Sequence, residues 1–123
     1  MIAVDTNVLR RYFRGVIDSH TAMVAAAIHS NDAFLPPIVF TEAISNSDLR
    51  EHEFVETCSL PLLTLFHGYW LRAGNLRRQL ITEHRSAPIA DCLIAQACID
   101  AGVPLLTDDG GFTRYVEFGL ELL

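Results

Sequence analysis

The stretch Ile2-Ala3-Val4-Asp5-Thr6-Asn7-Val8-Leu9 holds an apolar triplet, one acid, a polar pair and a new apolar run. Ile2-Ala3-Val4 has the length and character of a short buried strand, and the residues after Asp5-Thr6-Asn7 read as helix through Phe13. The same alternation continues outward. Residues 19 to 30 are alanine-rich without Gly or Pro and predict a helix. Ala33-Phe34-Leu35 predicts a second strand, with Pro36-Pro37 suited to the entry of the next helix. Asp48-Leu49-Arg50-Glu51 has the capping-box pattern and predicts a helix to about Thr57. Leu60 to Leu65 reads as a third strand and residues 67 to 84 as an amphipathic helix interrupted in composition by Gly74. Ser86 is the expected cap of a helix with Pro88 in its first turn and Gly102 as its stop. Pro104-Leu105-Leu106 predicts a fourth strand, Asp109-Gly110-Gly111 a turn, and Gly119 to Leu123 a closing strand. Strands alternating with helices predict an α/β fold, a short parallel sheet of four to five strands covered on both faces.

The chain has 123 residues, half of them hydrophobic and 20% charged, enough for one domain over residues 1–123 with a real core. No repeat, low-complexity tract or linker divides it. No apolar run matches a bilayer span, and Met1-Ile2-Ala3-Val4-Asp5 lacks the basic and apolar regions of a signal peptide. Cys58, Cys92 and Cys98 form no close pair and suit reduced thiols, so the expected location is cytoplasmic. The net charge is −6, and all nine basic residues are arginine. Without lysine, P-loop phosphate binding, Schiff-base chemistry and Ser-x-x-Lys hydrolysis are excluded.

Most of the 15 acids have ordinary readings. Glu51, Glu53 and Glu56 share a polar helix with Arg50, and Asp18, Asp32, Asp100, Glu117 and Glu121 lie near predicted termini, as solvated or capping groups. Others are isolated in apolar surroundings. Asp5 is the only charge in the first nine residues, Glu42 the only one between Asp32 and Asp48, and Asp91 the only one in residues 86 to 99. Asp108 and Asp109 follow the fourth strand. A buried lone carboxylate is costly unless something satisfies it. In a parallel α/β sheet, strand carboxyl ends and helix N-termini share one edge, where ligands bind. That edge should gather Asp5, Glu42, Asp91 and Asp108 or Asp109. Packed carboxylates repel and need positive charge, here arginine or metal. Oxygen-only donors favour Mg²⁺ or Mn²⁺ over zinc, and a carboxylate-held magnesium suits phosphodiester hydrolysis. Each acid alone could instead be a helix N-terminal carboxylate favoured by the dipole.

Arg10, Arg11 and Arg14 follow Asp5 on one helix and could hold flanking phosphates or be solvated. Arg78 and Arg85 read as surface, and Tyr12, Tyr69, Trp70 and Tyr115 as core residues rather than base-stacking platforms. The five histidines lack metal-ligand spacing. Thr6 and Thr107 each adjoin a candidate acid as potential hydrogen-bond donors to it.

These residues together resemble a PIN-domain ribonuclease, specifically the VapC-type toxins of VapBC toxin–antitoxin pairs, over essentially the whole chain. The matching motifs are Met1 to Leu9 around Asp5, Phe40-Thr41-Glu42-Ala43, Ile89-Ala90-Asp91-Cys92-Leu93-Ile94-Ala95-Gln96-Ala97, and Leu105-Leu106-Thr107-Asp108-Asp109-Gly110-Gly111-Phe112. The resemblance implies a three-layer α/β/α PIN fold and Mg²⁺-dependent (or Mn²⁺-dependent) endoribonuclease activity on an RNA substrate. It also implies a homodimer neutralised by a VapB-type antitoxin. Asp5, Glu42, Asp91 and Asp109 would be the catalytic and metal-binding residues. The family's Thr-x-Asp-x-Asp-Phe pattern has Gly111 in place of its second acid, so the fourth ligand rests on Asp109, two after Thr107, with Asp108 as the other candidate. A glycine common before the third acid is replaced by Ser86-Ala87-Pro88. Two other readings remain at this level: a catalytically silent PIN-fold binding module, and a magnesium phosphohydrolase of small molecules.

Overall fold

The computed structural model describes residues 1–123. Strand β1 (Ile2–Val4) lies between β2 (Ala33–Phe34) and β3 (Leu105–Leu106), in the order β2-β1-β3 with all pairs parallel. The register sets Ile2 opposite Ala33, Ala3 opposite Phe34 and Leu105, and Val4 opposite Leu106. Ala3, Val4, Leu105 and Leu106 are fully buried. A central parallel strand covered on both faces must be apolar throughout, as this one is.

The expected third and closing strands shrink to single parallel bridges, Leu35 with Leu62 and Leu105 with Leu122. Pro61 has no N–H to extend the first ladder, although its carbonyl accepts from Leu35 N–H at 2.9 Å. Three strands and two bridges replace the predicted four to five strands, within the same α/β architecture.

Helices α1 (Thr6–Phe13) and α2 (Ser19–His29) connect β1 to β2. Helices α3 (Pro37–Ile44), α4 (Glu51–Ser59), α5 (Tyr69–Thr82) and α6 (Ile89–Ala101) connect β2 to β3, and a 3₁₀ helix spans Gly110–Phe118. The two crossovers run to opposite sides of β1, so strand order reverses there and opens a crevice at the strand carboxyl ends. Asp18 caps α2 in a capping box with Thr21, and Gly102 ends α6 in the left-handed conformation at φ 64°. Gly74 does not interrupt α5.

Two expected caps are corrected. Helix α4 starts at Glu51 behind Arg50, because Asp48 sits in a turn where its N–H donates to Asn46 Oδ1 at 3.1 Å. Helix α6 starts at Ile89 behind Pro88 with no side-chain cap, because Ser86 lies two residues ahead of the capping position, which Pro88 takes.

Three other expectations also change. Glu53 is buried beside Arg50 at 3.9 Å, because α4 turns it and Thr57 inward. Asp100 is no solvated terminus: Arg72 Nη2 reaches its Oδ2 at 2.6 Å, and Gln96 Nε2 donates to its Oδ1 at 2.8 Å. Trp70 is exposed, the inward position of that turn being taken by Tyr69, against whose ring it stands edge-on. Tyr69 and Tyr115 are core residues as expected.

Candidate active site

Asp5 directly follows β1 and caps α1. Its Oδ1 accepts from Thr6 N–H at 2.8 Å and its Oδ2 from the Thr107 hydroxyl at 2.7 Å, so it is held in one orientation while buried. Thr107 follows β3, and its Oγ1 also accepts from Asp109 N–H at 3.0 Å. One hydroxyl therefore ties the acid after β1 to the loop after β3. Thr6 does the equivalent on the other side, donating its hydroxyl to Glu42 Oε1 at 2.9 Å. Both threonines thus bond to candidate acids.

Glu42 lies on α3 and is otherwise solvent-facing. Asp91 is half-buried in the first turn of α6, where the helix dipole favours a carboxylate. Asp109 caps the 3₁₀ helix, its Oδ1 accepting from Gly111 N–H at 2.8 Å. Asp5, Glu42, Asp91 and Asp109 all line one open cleft of about 540 Å³. Asp108 does not line it. Its carboxylate is bound by Arg11, which also holds Asp18 at 3.2 Å.

The electrostatics of the cleft are those of a group short of positive charge. None of the four carboxylates is ion-paired within the chain. Burial pushes Asp5 above the usual carboxylate range despite its hydrogen bonds, with Glu42 and Asp109 adding to the rise. Burial likewise raises Asp91, followed by repulsion from Asp109 and Asp5. Uncompensated, all-oxygen donors of this kind suit a hard divalent cation in their chemistry. No three His, Cys, Asp or Glu side chains are arranged to hold an ion as they stand, so the fit is one of donor type and shared cleft.

Arg10 also lines the cleft, Arg11 is consumed by Asp18 and Asp108, and Arg14 is exposed elsewhere. The remaining polar lining is Thr6, Asn7, Thr41 and Ser45. Sequence reasoning did not single out Asn7, Thr41 or Ser45, although helical spacing marks them. Ile38, Thr41, Glu42 and Ser45 fall at i, i+3, i+4 and i+7, one stripe of α3 and its cap, and Asn7 and Arg10 at i, i+3.

Comparison with known proteins bears on the fold that carries this cleft. The structure of VapBC2 from Rickettsia felis, bound to a DNA fragment from its promoter, matches at a TM-score of 0.77 and 22% identity, covering 100% of this chain and 98% of that one. FitAcB from Neisseria gonorrhoeae matches at 0.69 and 14%, covering 100% and 96%. VapBC-1 from nontypeable Haemophilus influenzae matches at 0.54 and 13%, covering 100% and 97%. At these identities the likeness is one of fold. No curated protein sequence matches the chain. The PIN domain family model matches residues 2–117, from β1 through nearly all of the 3₁₀ helix. With that span matched and the strands, helices and cleft in place, the chain belongs to the PIN domain family.

Proposed function

We propose that this chain is the toxin of a type II toxin–antitoxin pair, an endoribonuclease that uses Mg²⁺ or Mn²⁺ to hydrolyse RNA phosphodiester bonds. The observation that carries this reading is four carboxylates, from four separate segments, lining one cleft with no basic side chain paired to any of them. Asp5, Glu42, Asp91 and Asp109 would hold the metal. A divalent ion there supplies acidification of a water molecule and neutralises charge on the phosphoryl group.

The chain's own residues do the rest. Thr107 and Thr6 N–H hold Asp5 in place, and the Thr6 hydroxyl aims Glu42, which lies open to solvent and can orient the attacking water. Arg10 stands in the same cleft as a cation for a flanking phosphate.

Two apolar surfaces support the partners. Val16, Ile17 and Met23 are exposed around the α1–α2 connection, Ile17 by 95%, a surface suited to cover by a VapB-type antitoxin like those in the VapBC complexes of similar fold. Trp70, Ile81 and Ile89 are exposed along the α5–α6 groove and suit a second copy of the chain. Such a complex would act in the cytoplasm. No helix is long and apolar enough to cross a membrane.

The test is RNA cleavage by purified protein with Mg²⁺ or Mn²⁺, with EDTA, and with Asp5→Asn. Asparagine still caps α1, so that variant removes charge while keeping the helix start. Cleavage lost in both controls supports the reading, whereas cleavage retained by Asp5→Asn sinks it. The silent binding module is favoured by one observation, that no three donors already enclose an ion. It predicts no Mn²⁺-linked rise in melting temperature and no cleavage at any salt concentration.

A further inference from the structure

With no lysine in the chain, the permanent side-chain cations are its nine arginines. Arg11, Arg50, Arg72 and Arg85 are each paired with carboxylates. Arg114, which sequence reasoning passed over, is held differently. Its Nε donates to the Gly111 carbonyl at 2.6 Å and its Nη1 to the Ser86 carbonyl, while Nη2 makes no hydrogen bond within the chain. The Tyr115 ring lies 5.9 Å from the guanidinium carbon. Neutral carbonyls orient a guanidinium without cancelling its charge, so Arg114 is a fixed cation with no carboxylate ion-paired to it.

Its anchors place it beside the cleft. Ser86 lies just ahead of α6, which carries Asp91, and Gly111 lies just beyond Asp109. Burial raises Asp91, and the charge of Arg114 acts on it in the opposite sense. Residues three apart eclipse in a 3₁₀ helix, so Arg114 folds back over Gly111. A Cβ at position 111 would stand 2.9 Å from Arg114 Nη2 and 3.0 Å from Asp109 Oδ1. The absence of a side chain at Gly111 is what lets Nη2 rest next to the Asp109 wall of the cleft.

We propose that Arg114 contacts an RNA phosphate through Nη2, its carbonyl-held guanidinium standing beside the Asp109 edge of the cleft in space that a side chain at 111 would otherwise fill. The proposal rests on the endoribonuclease reading above and adds one substrate contact to it.

Binding is measured in an Asp91→Asn background, with a labelled single-stranded RNA of mixed sequence titrated across salt concentration. Arg114→Gln should weaken binding about tenfold at low salt. It should also flatten the slope of log affinity against log salt by about 0.7, the value for one single-strand phosphate contact. Arg114→Lys should keep the slope and lose part of the affinity. Gly111→Ala, whose methyl displaces Nη2, should weaken binding alone and add nothing to Arg114→Gln. An unchanged salt slope in Arg114→Gln overturns the proposal, even if binding weakens, because a merely structural role leaves that slope intact. When wild-type protein cleaves RNA and the slope is unchanged, the proposal falls alone. When wild-type protein neither cleaves nor binds RNA, the nuclease reading falls and takes the proposal with it.

Discussion

Helix α6 carries an aspartate near each end, and the two are opposites. Asp100 is largely covered, yet it sits below the usual carboxylate range, because hydrogen bonds from Arg72 and Gln96 and the Arg72 charge outweigh the effect of burial. Asp91 sits above that range, because burial and the carboxylates of Asp109 and Asp5 outweigh the pull of Arg114. One helix, one residue type and one core thus give a compensated acid and an uncompensated one. The compensated acid contributes to the fold. The uncompensated one makes the metal-free fold less stable, the pattern expected of a group kept for binding or chemistry.

The largest expected difference between them is catalytic. Asp91→Asn should lower RNA cleavage by at least about 100-fold, and Asp100→Asn should leave it within about threefold, measured at saturating Mg²⁺ on one RNA substrate. Comparable losses in both variants would erase the distinction.

The next difference is in stability, with opposite signs. In metal-free protein at neutral pH, Asp91→Asn should raise the melting temperature and Asp100→Asn should lower it, each by a few degrees. The pH dependence follows from the directions of the shifts. A carboxyl raised on folding contributes stability while protonated and loses it as pH rises through its folded value. A carboxyl lowered on folding contributes stability above its unfolded value and loses it as pH falls through its folded one. Both differences from wild type should therefore be largest near neutrality and shrink toward the acid side, the Asp91→Asn gain fading as the Asp100→Asn deficit does. Melting curves of the two variants and wild type from neutral to acid pH check this, and a gain from Asp91→Asn that grew with acid would contradict it.

The smallest effect concerns the C-terminal end of α6. Gly102 stops the helix at φ 64° with nothing near a Cβ, so Gly102→Ala should cost about 1 kcal/mol through backbone strain alone and leave cleavage unchanged. Urea unfolding measures it.

How much of this could be read from the amino-acid order follows the same division. Asp5, Glu42 and Asp91 stood out because each is a lone charge in an apolar stretch, and strand–helix alternation was enough to bring them to one edge. The parallel sheet was legible for the same reason, although the extent of its outer strands was not: both shrink to single bridges, and at one of them Pro61 limits pairing that apolar composition alone would allow. What escaped depends on partners distant in sequence. Asp108 leaves the cleft because Arg11 binds it, and no local pattern near residue 108 contains Arg11. Asp100 and Glu53 have the look of surface acids until Arg72 and the inward turn of α4 are in place. Arg114 had a signal, a glycine three residues before it in a segment expected to turn, but its hold on Ser86 is tertiary.

Calorimetric titration of Mn²⁺ into wild-type protein, Asp91→Asn and Asp100→Asn tests the central claim most directly, that the uncompensated carboxylates await a divalent cation. Wild type and Asp100→Asn should bind with matching affinity, and Asp91→Asn should bind at least about tenfold more weakly. Binding of Mn²⁺ by Asp91→Asn as tight as by wild type would contradict the account.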